Sequence, residues 1–185
     1  MERTLLLIKP DGVQRGLVGK IIDKIERRGL RMIGMKMMTV STHLAETHYA
    51  IHKGKPFYDN LIDYITSAPI VAIAWQGSKA VAVVRQALGS TNPTEAHPGT
   101  VRGDYGIDIG RNLTHGSDSV KNGMTEINLW FQADELIEWK RSGEEWIFEV
   151  KIIEYFVTRS QRFREIYTTN MYYHNSLDSK YNFTF

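Results

Sequence analysis

Thr4-Leu5-Leu6-Leu7-Ile8-Lys9-Pro10-Asp11-Gly12 opens the chain with an apolar run that stops at a lysine, a proline and a turn pair. A short continuous apolar run bounded by turn signals reads as a buried strand. Pro10 has no backbone N–H to give to a sheet ladder, so the strand ends at Lys9 and a turn follows. A buried strand needs partners and covering layers, and the sequence downstream supplies both.

Val18, Ile21, Ile22 and Ile25 recur at helical spacing, with Gly29 at a suitable stop, which predicts a helix over Leu17 to Arg28. Met32 to Val40 alternates as a second strand, and Ser41 or Thr42 can cap a helix running through Tyr49. Asp59 to Ser67 reads as a further helix ended by Pro69. Ile70 to Trp75 reads as a buried strand closed by Gly77, and Lys79 to Leu88 as a helix stopped by Gly89. Gly89 to Gly110 carries Pro93, Pro98, Gly99, Gly103 and Gly106, which predicts a long functional loop without regular structure. Ile107 to Thr114 supplies a fourth strand, and Val120, Met124, Ile127 and Phe131 mark a last amphipathic helix. The pattern is that of an α+β fold, a ferredoxin-like antiparallel sheet sandwich with helices on the sheet faces and an extra helix between strands two and three.

Composition narrows the function. With 185 residues, 42% hydrophobic and 24% charged, the chain can bury one core without staples. It has no cysteine, so thiol catalysis, thiolate metal sites and disulfides are excluded. The net charge of +2 does not indicate nucleic acid as a partner. The first apolar run is too short for a secretion signal or a membrane span, so no membrane partner and a cytoplasmic location are expected.

Arg111-Asn112-Leu113-Thr114-His115-Gly116-Ser117-Asp118-Ser119 brings an imidazole, a bare glycine and helix-capping side chains to the junction of a strand and a helix. Helix N-termini attract anions, and Gly116 lets a ligand approach the backbone beside His115. An imidazole with a reference pKa near 6.5 is largely neutral and nucleophilic at cellular pH. Carrying a phosphoryl group requires one ring nitrogen free and the other held by an acceptor. Glu126 can be that acceptor, with Gly123 leaving room for its carboxylate to lean back toward the helix start. Lys9, at the end of a buried strand, and Arg85 and Arg102, flanking the irregular loop, are candidates for gathering phosphate charge. Each of these cations alone is most often a surface charge, and an isolated His/Glu pair is more often structural, a preference that the surrounding sequence reverses. Gly19-Lys20 lacks the rest of a P-loop, Ser117 lacks the context of a serine hydrolase, and the six histidines show no zinc-type spacing.

Asn112-Leu113-Thr114-His115-Gly116-Ser117-Asp118-Ser119 closely resembles the active-site signature of nucleoside diphosphate kinases. Lys9-Pro10-Asp11-Gly12, Thr91-Asn92-Pro93, Pro98-Gly99-Thr100-Val101-Arg102-Gly103-Asp104 and Trp130-Phe131 also resemble that family, in its order and spacing. The resemblance runs from about Arg3 to Glu149. It implies a ping-pong exchange in which ATP or another nucleoside triphosphate phosphorylates His115, which then phosphorylates a different nucleoside diphosphate. By the same resemblance Lys9, Tyr49, Arg85, Thr91, Arg102 and Asn112 would contact phosphates or sugar. Phe57 and Ile109 would clamp the base, and Ser117 and Glu126 would support the histidine. Phe57, after Lys55-Pro56, reads equally as a core aromatic from its context alone. Mg2+ would bridge substrate phosphates without a protein ligand. The family forms hexamers or tetramers, and a chain continuing through Trp146-Ile147-Phe148-Glu149 is similar to the hexameric branch, which implies a homo-oligomer, a hexamer.

Residues 150–185 depart from the family. Nine of these 36 residues are aromatic, too many for a solvated tail. The expectation is a catalytic domain over 1–149 and an aromatic-rich extension over 150–185. Ile153, Phe156, Val157, Phe163 and Tyr167 would pack the extension on its own or a neighbouring subunit.

Overall fold

Leu5, Leu6, Leu7 and Ile8 are all fully buried, and the place of their strand in the sheet is the reason. The computed structural model describes residues 1–149. The chain runs β1 (Glu2–Ile8), α1 (Pro10–Gln14), α2 (Val18–Glu26), β2 (Arg31–Met38), α3 (Thr42–His48), α4 (Tyr58–Thr66), β3 (Ile70–Gly77), α5 (Ala80–Leu88), α6 (Val101–Tyr105), β4 (Thr114–Gly116) and α7 (Val120–Trp130). The sheet order is β2-β3-β1-β4, and every neighbouring pair is antiparallel. β1 and β3 are therefore central. Because side chains alternate along a strand, Leu5, Leu7, Ala72 and Ala74 join one apolar cluster with Ala45, Ile62 and Ile127. Leu6, Ile8, Ile73 and Trp75 join another with Ile21, Val84 and Val101. Thus α3, α4 and α7 cover one face and α2, α5 and α6 the other, the ferredoxin-like sandwich that the sequence predicts.

The contacts separate a compact unit, Met1–Lys140, from a second, Arg141–Phe185. The described part of the second unit carries a 3-10 turn at Glu144–Trp146. The packing expected for the extension, and for Ile153, Phe156, Val157, Phe163 and Tyr167, lies outside the described residues.

Four local readings of the sequence are corrected. Pro10-Asp11-Gly12 is not a turn but the first turn of α1, with Pro10 at a position where its missing N–H costs nothing. The segment from Gly89 to Gly110 is not irregular: it holds α6 and 3-10 turns at Pro93–Glu95 and Ile109–Arg111. Side-chain caps outweigh its prolines and glycines. Asn92, Thr100 and Asp108 each accept a backbone N–H from the turn they precede, from Thr94, Gly103 and Gly110 respectively. The fourth strand is Thr114–Gly116 rather than Ile107 to Thr114. The capped turn and the positive φ of Leu113, +69°, keep the preceding residues out of the sheet.

The last correction concerns α7. Of its predicted stripe, Ile127 and Phe131 are buried but Val120 and Met124 are exposed, and the helix buries Gly123 and Trp130 in their place. Gly123 sits directly over β1: a Cβ there would lie 2.5 Å from the Arg3 carbonyl oxygen and 3.3 Å from Thr4 Cα. Close approach of helix to strand, rather than room for a carboxylate, is what requires glycine. Gly123→Ala tests the distinction by the sign of its effect. Alanine improves helix propensity by about 1 kcal/mol, whereas overpacking against backbone costs roughly 1–3 kcal/mol. The midpoint of thermal unfolding is expected to fall, and a rise would show that the helix does not need this approach.

Candidate active site

β4 begins only at Thr114, so its middle residue is His115, directly opposite Leu7 of β1. Opposed residues of an antiparallel pair share a face. The imidazole therefore points to the face covered by α3 and α7, which supply its neighbours. Glu126, in the middle of α7, places Oε1 3.1 Å from His115 Nε2. Its other oxygen, Oε2, accepts the Ser117 hydroxyl at 2.5 Å, and Ser117 Oγ in turn accepts the backbone N–H of Leu5 at 3.0 Å. A carboxylate can only accept, so the ring proton is on Nε2 and Nδ1 keeps its lone pair.

Lys9 is buried at the end of β1, and its Nζ donates to Asn112 Oδ1 at 2.7 Å. The Asn112 amide donates on to the Thr91 carbonyl at 3.0 Å. Burial lowers the Lys9 pKa to about 8, with Arg102 adding to the effect. Arg102 is buried as well. Its guanidinium donates to three carbonyls, those of Asn112, Gly89 and Thr114, at 3.1, 2.8 and 2.8 Å. Burial, and then the charge of Arg85, push its pKa down to about 10, so it stays charged at neutral pH. Asp118 keeps its carboxyl ionised below the usual range, chiefly through the hydrogen bond from Asn122.

One cleft of about 1500 Å³ is lined by Lys9, Tyr49, Phe57, Arg85, Thr91, Arg102, Ile109, Asn112, His115 and Glu126. Ser117 is fully buried behind them. The structure thus gathers every candidate residue at or immediately behind one cavity. Phe57 and Ile109 are exposed apolar side chains on its wall. For Phe57 this settles against the reading as a core aromatic.

Sequence reasoning missed several groups here. His48, the last residue of α3, has its ring 4.5 Å from that of His115, edge to face. Trp130 Nε1–H donates to His48 Nδ1 at 3.1 Å. Burial, chiefly, holds His48 neutral, aided by the charge of Lys9, so its one proton is on Nε2. His48, His115 and Glu126 bring ligand-type atoms within 4.8 Å of one another, but that tautomer gives His48 no lone pair facing a cation, and the set is a poor metal centre. Asp11 was also missed: it accepts from Gly12, Tyr64 and Leu113. His48 sits in a helix whose sequence carries no signal of what faces its end. Asp11 was concealed by its place in an apparent turn.

Comparison with known proteins points the same way. The family model described as "Nucleoside diphosphate kinase" matches residues 2–136. The chain is 55% identical over 149 residues to a nucleoside diphosphate kinase of Trichodesmium erythraeum, covering 80% of this chain and 100% of that protein. It is 58% identical, with the same coverage, to one of Staphylococcus saprophyticus. Among solved structures, that of a halophilic nucleoside diphosphate kinase from Halobacterium salinarum in complex with CDP is 49% identical with a TM-score of 0.78, covering 80% of this chain and 99% of that one. A nucleoside diphosphate kinase family protein from Babesia bovis is 40% identical with a TM-score of 0.78, covering 80% and 100%.

Arg102 ties Gly89, Asn112 and Thr114 together, so its loss is felt in folding before any reaction is considered. Arg102→Lys keeps the charge but cannot reach three carbonyls, and each buried acceptor left unpaired costs about 1–3 kcal/mol. Urea unfolding is expected to show a lower midpoint at an unchanged slope. An unaltered midpoint would show that water replaces the guanidinium without penalty.

Proposed function

The chain belongs to the nucleoside diphosphate kinase family and is a phosphotransferase of that kind, and we propose that His115 Nδ1 is the atom that carries the phosphoryl group between nucleotides. The observation that supports this most directly is the Nε2 contact to Glu126. The Nδ1 lone pair forms a bond to the γ-phosphorus of a nucleoside triphosphate such as ATP as the bond to the bridging oxygen breaks, and the nucleoside diphosphate leaves. The ring keeps its Nε2 proton throughout and becomes an imidazolium, whose charge the Glu126 carboxylate stabilises. A terminal phosphate oxygen of a second nucleoside diphosphate then attacks the same phosphorus, and the ring returns to its starting form.

The supporting roles follow from chemistry. Lys9, Arg85 and Arg102 supply positive charge to the transferring group. Tyr49, Thr91 and Asn112 can donate hydrogen bonds to phosphate or ribose. Phe57 and Ile109 offer apolar faces to a base without reading its edge, which suits broad base and sugar tolerance. The family generally requires a divalent metal. Mg2+ is our specific assignment: it would be held through the substrate phosphates rather than by a protein ligand and would keep much of its own water, and the ionised Asp118 lines the same cleft. The ion would offset phosphate charge.

We extend the proposal to organisation. The relatives are matched over 149 residues and nearly their full lengths, which supports a catalytic domain over 1–149; that the extension after it packs on this or a neighbouring subunit is carried by its aromatic composition alone. β2 forms an outer edge of the sheet with Met35 and Met37 exposed on it. Ile137 N–H already covers this edge at the Ile33 carbonyl, and the exposed stretch beyond it supports a homo-oligomer; that the oligomer is a hexamer is part of the proposal. No helix among the described residues is long and apolar enough to cross a membrane, which accords with a cytoplasmic assignment.

Two measurements test the reading. Incubated with γ-labelled ATP and no acceptor, the chain is expected to take up label that is labile to acid and stable to base, as a phosphoramidate is. His115→Ala should abolish it while the protein remains folded. Acid-stable label on Ser117 or Ser119 would overturn the assignment. The second concerns Lys9. Its pKa in the free protein is lowered to about 8, and an anionic phosphate beside it raises that value again. Near pH 8, nucleotide binding should therefore take up protons, read by calorimetry in buffers of different ionisation enthalpy, and Lys9→Met should remove that uptake. Proton release in the unmodified protein would contradict the placement of phosphate beside Lys9.

A further inference from the structure

Leu113 stands between two functional side chains with φ at +69°, a region that residues with a Cβ enter only at a cost. The turn is closed across it by Thr114 N–H donating to the Asn112 carbonyl at 2.7 Å, Arg102 holds the carbonyls on either side, and Leu113 itself is anchored by Asp11 and Lys9. Leu113 N–H donates to Asp11 Oδ2 at 3.1 Å, while its carbonyl accepts from Lys9 N–H at 2.8 Å. The other oxygen of Asp11 is engaged twice, by Gly12 N–H at 3.0 Å and by the Tyr64 hydroxyl at 2.5 Å. Tyr64 is in turn covered by the Arg111 guanidinium, 4.1 Å from its ring centroid. Asp11 is thus gripped from α1 and α4 and grips the loop before β4. Gly12 is glycine for the same closeness: a Cβ there would be 2.7 Å from Ile8 Cγ2 and 3.3 Å from the Leu113 carbonyl.

What this grip controls is the residue just before Leu113. Asn112 spans Lys9 Nζ and the Thr91 carbonyl, and its own carbonyl is one end of the turn that Asp11 anchors. Asp11 itself is not among the residues lining the cleft. We propose that Asp11 is a positioning residue for phosphoryl transfer: by anchoring the turn at Leu113 to α1 and α4 it aims the Asn112 amide at Lys9, and so fixes where the ammonium stands. The inference rests on the reading of Lys9 and Asn112 as phosphate-site groups. A carboxylate is needed because both of its oxygens face donors. In Asp11→Asn, the amide NH2 must oppose either Leu113 N–H or Gly12 N–H, so one bond is lost whichever way the side chain turns.

The test is a double-mutant cycle on the rate of His115 phosphorylation at saturating ATP, with Asp11→Asn and Asn112→Ala made singly and together and each variant's thermal melt recorded. A group misplaced by about 1 Å can cost on the order of 100-fold, so Asp11→Asn is expected to slow phosphorylation roughly 10- to 100-fold in folded protein. On the Asn112→Ala background the further loss should be less than about 2-fold, because the lever has nothing left to aim. If the variant does not fold, Tyr64→Phe removes one bond to Asp11 and should give a smaller loss that likewise vanishes on that background. Equal losses on both backgrounds, or no loss in folded protein, would overturn the proposal while leaving the reading of the cleft intact. A wild-type rate in Asn112→Ala alone would overturn both.

Discussion

The imidazole of His115 is oriented by a run of hydrogen bonds that anchors it to β1, a central strand of the sheet. The run starts at the backbone N–H of Leu5, passes through Ser117 Oγ and both oxygens of Glu126, and ends at His115 Nε2. Each link leaves no freedom to the next. The N–H can only donate, the carboxylate can only accept, and the hydroxyl between them does one of each. The burial of β1 on both faces fixes Leu5, and through it the tautomer and tilt of a ring that is itself only partly buried. Sheet register adds a second constraint, since pairing with Leu7 sends the ring to the side where α7 carries Glu126.

The cations of the cleft follow a different logic. A mobile surface lysine would gather phosphate charge loosely and at an entropic cost, whereas Lys9 and Arg102 are buried and already held by Asn112 and by three carbonyls. Desolvation makes this unfavourable in the free protein, and the lowered Lys9 pKa expresses that. The same desolvation strengthens attraction for an arriving anion, because the charges act through less water. Preorganisation here means that the cost of assembling positive charge is met by folding rather than by the bound substrate.

Much of this was legible in the sequence, and the parts that were not share a cause. The buried strands and the glycine stops at Gly29 and Gly89 are local signals, and both glycines adopt positive φ. His115, Glu126 and Ser117 were legible because they lie within twelve positions of one another, so that chain geometry alone brings them close. His48 lies 67 positions before His115, and only the packing of α3 beside α7 brings them together. Asp11 is hidden more thoroughly, because a proline, an aspartate and a glycine in a row spell a turn by every local rule. Its partners Tyr64 and Leu113 are distant in sequence. In α7 the reading of the apolar stripe held for Ile127 and Phe131 and failed in the first half of the helix, where Gly123 packs closely against backbone and a residue without a side chain leaves no mark in a hydrophobic pattern.

The neighbourhood of His48 shows how the fold separates anion chemistry from metal chemistry with nearly the same side chains. Two imidazoles and a carboxylate within ligand distance would suit a zinc ion if each offered a lone pair. The indole of Trp130 can only donate, so it takes the lone pair of His48 Nδ1 and leaves a proton on Nε2. Glu126 does the converse to His115, taking its Nε2 proton into a hydrogen bond and leaving Nδ1 free. One ring is made a fixed donor and the other a nucleophile by neighbours of opposite hydrogen-bonding character. A buried N–H beside His115, together with Lys9 and Arg102, gives this part of the cleft a lining of donors and positive charge that favours oxygen anions over cations.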